Sequence, residues 1–153
     1  MRKLAPPAVA VAIAAAAVVA IPASAHHARA TSAGAKLEVR KGKLGRYIVN
    51  GQGLTLYLFE KDKGGSSACY GACAQVWPPL ITSAKPSAGA GILASKIGTT
   101  RRRDGKLQAT YAGHPLYRYD DDHKAGQAEG EGSKEFGAEW YVVAPNGKKI
   151  DKS

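Results

Sequence analysis

The sequence predicts a mainly β domain in which two related β-hairpin repeats pack together, with one short helix carrying Cys69 and Cys73. Three observations lead to this fold class. Short runs rich in aromatic and β-branched residues alternate with turns that contain Gly and Asn, a pattern typical of antiparallel strands. A segment of the first half recurs about sixty residues later. The two cysteines lie four residues apart, a spacing that places them on one face of a helix.

The N-terminus has the features of a secretory signal peptide. Arg2 and Lys3 precede an uncharged run rich in Ala, Val and Ile, and residues 23–25 (Ala-Ser-Ala) have the pattern of a cleavage site. We therefore expect residues 1–25 to be removed on export. An uncleaved membrane anchor is the poorer alternative because the run is only weakly apolar. No cysteine stands at the expected new N-terminus, where a lipid would attach. We therefore expect a secreted or periplasmic protein that is not lipid-anchored and has no transmembrane segment after cleavage.

The charge balance points to anionic partners. Cleavage leaves 128 residues, enough for one domain with a modest core. It removes two of the 22 basic side chains, so 20 remain against 12 acidic ones, a net charge of +8. Such a surplus favours weak attraction to anionic surfaces. Because an exported protein meets the cell envelope rather than a genome, we expect an anionic envelope surface as a partner and no nucleic acid.

The first half of the domain follows a short leader. Residues 26–35 contain no large apolar residue, which predicts a flexible leader before a single domain over residues 36–153. Leu37–Val39 is a candidate first strand. Arg46–Val49 and Leu54–Phe59 are predicted strands joined by an Asn-Gly turn. Both faces of the second of these strands are largely apolar, so we expect this strand to be buried on each side.

A short helix and a connector follow. Ser66 or Ser67 is a candidate N-cap for a helix through Cys69–Val76. The Pro-Pro pair at residues 78 and 79 cannot continue that helix. Lys85–Ala94 is rich in Pro, Ser, Ala and Gly and is predicted to connect the two halves.

The second half repeats this plan. Leu107–Tyr111 and Pro115–Tyr119 are predicted to form a hairpin, and Glu139–Ala144 a final strand. Asp120–Gly137 is expected to be a solvated acidic loop rather than a calcium site, because the EF-hand spacing is absent. The arginines at 101–103 indicate a solvated turn, with an anchor for anionic cell-wall polymer or lipid as the alternative.

The internal repeat has the form Tyr, any residue, aromatic, two residues, Asp, and a tryptophan follows each copy after a loop. The copies lie in repeats that span about residues 45–83 and 105–147. The motif residues are Tyr57, Phe59, Asp62 and Trp77 in the first repeat and Tyr117, Tyr119, Asp122 and Trp140 in the second. Aromatic residues that alternate on one strand face predict a core shared by both repeats. The aspartate just past the strand is expected to accept backbone N–H bonds and fix the loop.

These motifs resemble a family of secreted or lipoprotein repeats of unknown function, recognised by the pattern Tyr-x-(Phe/Trp/Tyr)-x-x-Asp. The Cys-x-x-x-Cys and Trp-Pro-Pro-Leu run of residues 69–80, Gly-His-Pro-Leu-Tyr at 113–117 and Trp-Tyr-Val-Val at 140–143 are also similar to that family. The resemblance covers about residues 45–147. It implies an exported bacterial protein with no established reaction, and it carries over no catalytic residue.

The cysteine pair has two interpretations. A structural disulfide between Cys69 and Cys73 is expected because an exported protein meets oxidising conditions, and so short a loop contributes about 2 kcal/mol at most. The alternative is a redox-active or copper-binding pair, because two thiolates one turn apart suit soft metals. After cleavage His26 would become the amino terminus and a further copper ligand, although incidental histidines in a leader are the simpler interpretation.

The sequence offers no pattern for catalysis. It contains no Gly-x-Ser-x-Gly elbow and no phosphate-binding glycine loop of the P-loop or Rossmann kind. We therefore predict no catalytic residues and no cofactor apart from the copper alternative. The function expected is that of an exported cell-envelope or secreted domain with a non-enzymatic binding or structural role. A redox or copper-handling protein is the alternative.

Overall fold

Antiparallel hairpins make up most of the computed structural model, which describes residues 34–152. The predicted signal peptide and nearly all of the predicted leader lie outside the described residues. Within them, the strands are β1 (Lys36–Gly42), β2 (Gly45–Asn50), β3 (Tyr57–Phe59), β4 (Ser87–Ala88), β5 (Ile97–Arg101), β6 (Leu107–Tyr111), β7 (His114–Pro115) and β8 (Trp140–Val142), and the one α-helix, α1, is Ala72–Val76. Single 3-10 turns occur at Ala94–Lys96 and Glu135–Gly137. The mainly β class predicted from the sequence is confirmed.

The strands form three small sheets, with the orders β2-β1-β4, β3-β8 and β5-β6-β7. β1 and β2 make an antiparallel hairpin whose register runs from Leu37↔Asn50 to Gly42↔Gly45, and β4 pairs with β1 in parallel. The candidate strand at Leu37–Val39 is therefore real and longer than its apolar residues suggested. Cross-strand hydrogen bonds extend it through the charged residues that precede the turn.

Each repeat contains a short hairpin that precedes its motif. In the first, the Leu56 N–H donates to the Ile48 carbonyl at 3.1 Å, and in the second the Leu116 N–H donates to the Ala109 carbonyl at 3.0 Å. The first turn is held by the Asn50 side chain, whose Oδ1 accepts the N–H groups of Gln52 and Leu54 at 3.0 Å each. This is the local side chain to backbone bonding that makes Asn a turn residue.

The predicted strand Leu54–Phe59 changes partner halfway. Its first residues bond to β2, whereas Tyr57–Phe59 pair with β8 from the second repeat, from Tyr57↔Val142 to Phe59↔Trp140. Residues 55–59 are all buried, as the two apolar faces predicted. The change of partner brings the two repeats together.

Helix α1 is shorter than predicted and contains only one of the two cysteines. Gly71 precedes it with φ +57° and ψ −127°, a conformation that only glycine adopts readily, so the helix cannot extend back to Cys69. The expected serine N-cap is wrong, because the Ser67 hydroxyl instead accepts the Cys69 N–H at 3.2 Å in the preceding turn. The helix ends at Val76, immediately before Trp77 and the two prolines.

Two clusters form the core. One is largely aliphatic and includes Leu37, Ile48, Leu56 and Leu116. The other is aromatic and consists of Tyr47, Val49, Tyr57, Phe59, Cys69, Cys73, Trp77, Tyr117, Trp140 and Val142. The aromatic cluster draws residues from both repeats, so neither repeat encloses it alone. No helix within residues 34–152 has the length and apolar character needed to cross a membrane.

Candidate functional site

The two motif tyrosines lie opposite each other where the repeats meet. The Tyr57 N–H donates to the Tyr117 carbonyl at 2.9 Å, and the Tyr117 N–H donates to the Tyr57 carbonyl at 3.0 Å. This reciprocal pair fixes the register between the two motif segments. Each tyrosine ring consequently lies within reach of the loop that follows the other motif.

The motif aspartates complete this exchange. The Tyr57 hydroxyl donates to Asp122 Oδ2 at 2.5 Å, and the Tyr117 hydroxyl donates to Asp62 Oδ2 at 2.9 Å. The other oxygen of each carboxylate accepts a backbone N–H of its own loop, from Ala68 at 2.7 Å and from Glu129 at 2.9 Å. Each aspartate therefore ties its own loop to the tyrosine of the other repeat.

Four motif rings stack in one column between the repeats. Phe59 stacks on Trp140 with centroids 3.9 Å apart, and Trp140 stacks on Trp77 at 4.0 Å. Tyr119 follows at 4.4 Å from Trp77. The tyrosines close the sides, since Tyr57 meets the edge of Trp77 at 5.2 Å and Tyr117 meets Trp140 at 5.1 Å. Both tryptophans are fully buried, whereas Tyr119 at the end of the column is partly exposed. Most of this aromatic surface is therefore internal.

The acidic loop after the second motif supplies acceptors to this column. Glu135 accepts both indole N–H groups, that of Trp77 at its Oε2 and that of Trp140 at its backbone carbonyl, each at 3.0 Å. Glu131 Oε2 accepts the Val142 N–H at 2.7 Å, and Asp122 is only 4% exposed. The expectation of a solvated acidic loop is wrong for the buried Asp122 and the partly buried Glu131, whose carboxylates accept internal N–H and O–H donors, whereas Glu135 is exposed as expected.

Burial governs the ionisation of the motif groups. Desolvation raises the pKa of Asp62 to about 6, against the lowering effect of its hydrogen bonds from Ala68 and Tyr117 and of the Arg102 charge. Desolvation also raises the pKa of Asp122. The pKa values of Tyr57 and Tyr117 are raised too, by burial first and then by their carboxylate partners. The tyrosines are therefore neutral hydrogen-bond donors at physiological pH.

Cys69 and Cys73 form a disulfide, with their Cα atoms 5.3 Å apart. The two cysteines are 0% and 7% exposed and pack in the aromatic cluster. In this oxidised form neither sulfur is a thiolate, so the pair offers no soft-metal ligands. His26, the third candidate copper ligand, lies outside the described residues. Among residues 34–152 no group of three or more His, Cys, Asp or Glu side chains has the arrangement to hold a metal ion.

Arg102 is a buried residue, and the expectation of a solvated turn is wrong at this position. It is only 4% exposed. Its Nη1 donates to Ser67 Oγ at 2.8 Å and to Gln108 Oε1 at 2.7 Å, and its Nη2 donates to the Cys69 carbonyl at 2.8 Å. No local signal in the sequence predicted this burial, because Gln108 and Thr110 alternate with apolar residues in β6, the pattern of a strand with one solvent-facing side.

A basic groove lies on the surface between the β1–β2 turn and the loop of residues 124–129. This hairpin groove has a volume of about 620 Å³ and is lined by the cationic side chains of Arg40, Lys41, Lys43 and Lys124. Glu129 is its one acidic lining residue. Within residues 34–152 none of the four cations forms a salt bridge. Their charge can therefore act on a partner.

Comparison with known proteins identifies the family. No curated protein and no solved structure matches this chain. The family model described as a secreted repeat of unknown function matches residues 38–81 and 98–144. The two matches contain the two tyrosine motifs, and the resemblance noted in the sequence is confirmed. Because the matched residues make up more than half of the chain, the protein belongs to this family of secreted repeats of unknown function.

Proposed function

We propose that this secreted repeat protein is a non-catalytic domain that attaches to phosphate-bearing anionic surfaces of the cell envelope through the hairpin groove. The observation that carries the proposal is the convergence on one groove of four cationic side chains that form no salt bridge within residues 34–152. The motif tyrosines and aspartates are consumed in contacts between the repeats. The motif side chains therefore serve the fold, and we assign binding to the surface.

The charge distribution supports an anionic partner. Residues 34–152 contain 19 basic and 12 acidic side chains. Several of the acidic ones, including Asp62, Asp122 and Glu131, bond to internal donors. The outward-facing charge is accordingly more positive than the count alone indicates. Lipid headgroups and phosphate-containing wall polymers share the phosphate group that such a surface attracts.

The Arg40 side chain lies along the wall of the groove, beside two glycines. A Cβ added at Gly126 would lie 3.3 Å from Arg40 Nε, and one at Gly53 would lie 3.6 Å from Arg40 Nη1. Both glycines have positive φ angles, and they let two loops approach the guanidinium closely.

Vesicle binding tests the proposal. We expect the protein to sediment with vesicles that contain phosphatidylglycerol and not with vesicles of phosphatidylcholine alone. Each cation near the surface contributes about 1 kcal/mol, and the attraction weakens as salt is added. Lys41→Ala with Lys43→Ala should therefore lower the affinity about tenfold or more. The matched control is Lys85→Ala with Lys152→Ala, which removes the same charge outside the groove. An equal loss in the two double variants would contradict a role for the groove.

We also propose that export removes residues 1–25 and leaves no lipid. Residues 23–25 have the pattern of a cleavage site, and residue 26 is a histidine rather than the cysteine that lipid attachment would need. The intact mass of protein recovered from outside the cytoplasm should correspond to a chain that begins at His26. A mass that includes residues 1–25 or an acyl group would contradict the proposal.

A further inference from the structure

A second basic pocket lies at the β5–β6 turn and has no part in the hairpin groove. This arginine pocket has a volume of about 580 Å³ and is lined by Ser66, Ser67, Ala68, Tyr70, Arg101 and Arg103. None of its lining residues is acidic. Arg101 and Arg103 are exposed at its rim, whereas Arg102 between them turns inward and is buried.

Tyr70 organises the two arginines that follow Arg101. The guanidinium of Arg103 lies 4.1 Å from the centroid of the Tyr70 ring, and that of Arg102 lies 4.3 Å from it. The Arg103 backbone N–H donates to the Tyr70 hydroxyl at 3.0 Å. Cation–π contact holds a guanidinium flat against the ring while its N–H edges stay free to bond a ligand. Within residues 34–152 no acceptor takes a hydrogen bond from the Arg103 guanidinium.

The disulfide fixes the position of Tyr70. Tyr70 lies inside the loop that Cys69 and Cys73 close. The carbonyl of Cys69 also accepts Arg102 Nη2 at 2.8 Å, so the bridged loop contacts the arginine turn at two successive residues. A closed loop of this length has few conformations. The backbone that carries the Tyr70 ring is thus restrained by a covalent bond.

Arg102 lies behind the pocket, and two carboxylates outside the lining oppose its charge. Three of its acceptors are neutral groups, Ser67 Oγ, Gln108 Oε1 and the Cys69 carbonyl. Its ion pair with Asp104 is long, at 3.5 Å, and the Asp104 side chain is 41% exposed. The Asp62 carboxylate also interacts electrostatically with Arg102. Asp62 also accepts the Ala68 N–H, and Asp104 accepts the Lys106 N–H. Neither carboxylate lines the pocket.

We propose that the arginine pocket binds one phosphate-class oxyanion, and that the Cys69–Cys73 disulfide keeps it in its binding conformation. The Arg103 guanidinium, the Ser66 hydroxyl and the remaining N–H groups of Arg101, whose Nη1 donates to the Gly105 carbonyl at 2.8 Å, offer donors. No carboxylate in the lining competes for them. A planar guanidinium matches two oxygens of a phosphate at once. The ligand is a free phosphate or phosphomonoester, or the same group carried on a lipid headgroup. This inference is independent of the hairpin groove.

A titration with inorganic phosphate, followed by amide NMR of the disulfide-bonded protein, tests the site. Sodium chloride at matched ionic strength serves as the reference. We expect saturable shifts at the amides of Ser66, Ala68 and Arg103. Arg103→Ala should weaken binding about tenfold to a hundredfold, as expected for loss of charged hydrogen bonds. Lys41→Ala, in the hairpin groove, should leave the titration unchanged. Shifts that do not saturate, or that persist in Arg103→Ala, would overturn the proposal.

The role of the disulfide is tested separately. Tyr70→Phe keeps the ring and should bind phosphate within a few-fold of wild type, whereas Tyr70→Leu removes the cation–π contacts and should bind about tenfold more weakly. Reduction with dithiothreitol should weaken binding to a similar extent in protein whose circular dichroism is unchanged. Full-strength binding by reduced, folded protein would refute the bracing role. If reduction unfolds the chain, full-strength binding by Tyr70→Leu would refute it instead.

Vesicle sedimentation of the same variants separates the two sources of phosphate. Arg103→Ala protein that binds phosphatidylglycerol vesicles like wild type, yet no longer binds free phosphate, assigns the pocket to a soluble ligand. A parallel loss of both assigns it to a headgroup. The Lys41 and Lys43 double variant should bind vesicles about tenfold or more weakly and give an unchanged phosphate titration. Failure of one proposal is therefore distinguishable from failure of the other.

Discussion

At the level of single residues, each motif tyrosine is paired with the aspartate of the other repeat. Tyr57 bonds Asp122 and Tyr117 bonds Asp62, with lengths of 2.5 and 2.9 Å. The two aspartates differ in exposure, since Asp122 is buried and Asp62 is partly open. Equivalent residues of a repeat can therefore hold the same bonds in unequal environments, and this affects how each titrates.

Removing the Tyr57 hydroxyl should destabilise the protein. In Tyr57→Phe the buried Asp122 Oδ2 loses its donor, and an unsatisfied buried acceptor costs about 1–3 kcal/mol. The control is Tyr141→Phe. The Tyr141 hydroxyl donates at 2.7 Å to Glu139, whose carboxylate stays accessible to water, so its loss should cost less than about 0.5 kcal/mol. Urea unfolding measures both free energies. Equal stabilities of the two variants would contradict the importance of the pairing between repeats.

The raised pKa of Asp62 predicts a dependence of stability on pH. Its pKa is about 6 in the folded protein, above the ordinary value of 3.8. An acid with a raised folded pKa binds more protons when folded, so its contribution is full at low pH and is lost as pH rises through about 6. The free energy of unfolding of wild type, relative to Asp62→Asn, should thus rise by about 1 kcal/mol on acidification from about pH 7 to about pH 5, after allowance for solvent screening.

The comparison with Asp62→Asn isolates this effect from other titrating groups. Burial lowers the pKa of His114, which acts in the opposite direction over the same pH range. It raises the pKa values of Asp122 and Glu131, which act in the same direction as Asp62. These residues are common to both proteins, so they cancel in the difference. A difference that is flat with pH would show that Asp62 has an ordinary pKa.

At the level of elements, short strands and tight loops depend on local constraints. Strands of two or three residues, such as β3 and β8, are not stable alone in water. They are held by the aromatic column and by loops that the motif aspartates fix. The helix of five residues is also too short to be stable alone, and the disulfide from its Cys73 to Cys69 restrains it.

Reduction of the disulfide should cost stability without abolishing the fold. The bridge closes a very short loop, so the loss is about 2 kcal/mol at most. Thermal unfolding with and without dithiothreitol measures it, and intact mass shows the bridge as two hydrogens fewer in the oxidised protein. Cys69→Ser with Cys73→Ser should be insensitive to reductant. A transition temperature of wild type that reductant leaves unchanged, in protein shown by mass to be reduced, would contradict the prediction.

At the level of the whole molecule, strand segments of each repeat pair with segments of the other repeat. The first motif strand pairs with β8 of the second repeat. The second motif segment bonds to the tryptophan segment of the first, since the Arg118 N–H donates to the Pro78 carbonyl and the Asp120 N–H to that of Val76, each at 2.9 Å. Each repeat alone would expose unpaired strand edges and half of an aromatic column. The folding unit is therefore the pair.

Neither half should fold by itself. Residues 34–91 and residues 92–152, produced as separate chains, should each lack dispersed amide signals in NMR spectra, because the tyrosine–aspartate bonds and ring stacks cross the cut. Mixing the two should restore the spectrum of the intact protein. The control is the intact protein, folded first and then cleaved after Gly91, which should keep its dispersed spectrum. A well-dispersed spectrum from either half alone would show that one repeat folds without the other and would refute the prediction.

The sequence by itself determined the class of fold, the repeat and the disulfide. Turn residues, strand alternation and motif spacing are local properties, and they hold whatever the chain later contacts. The same information predicted a shared aromatic core, because the two motifs are alike. It misjudged Arg102, Asp122 and Glu131, since charged residues in glycine-rich segments are usually solvated.

Only the tertiary structure decided which repeat each motif residue serves. Nothing local distinguishes a tyrosine that bonds its own aspartate from one that bonds the other, because that depends on how the repeats pack. The same holds for Arg102, which is buried because Gln108, Ser67 and the Cys69 carbonyl converge from three segments of the chain. Burial of a charge becomes favourable only when such partners assemble together, and their assembly is a property of the folded molecule.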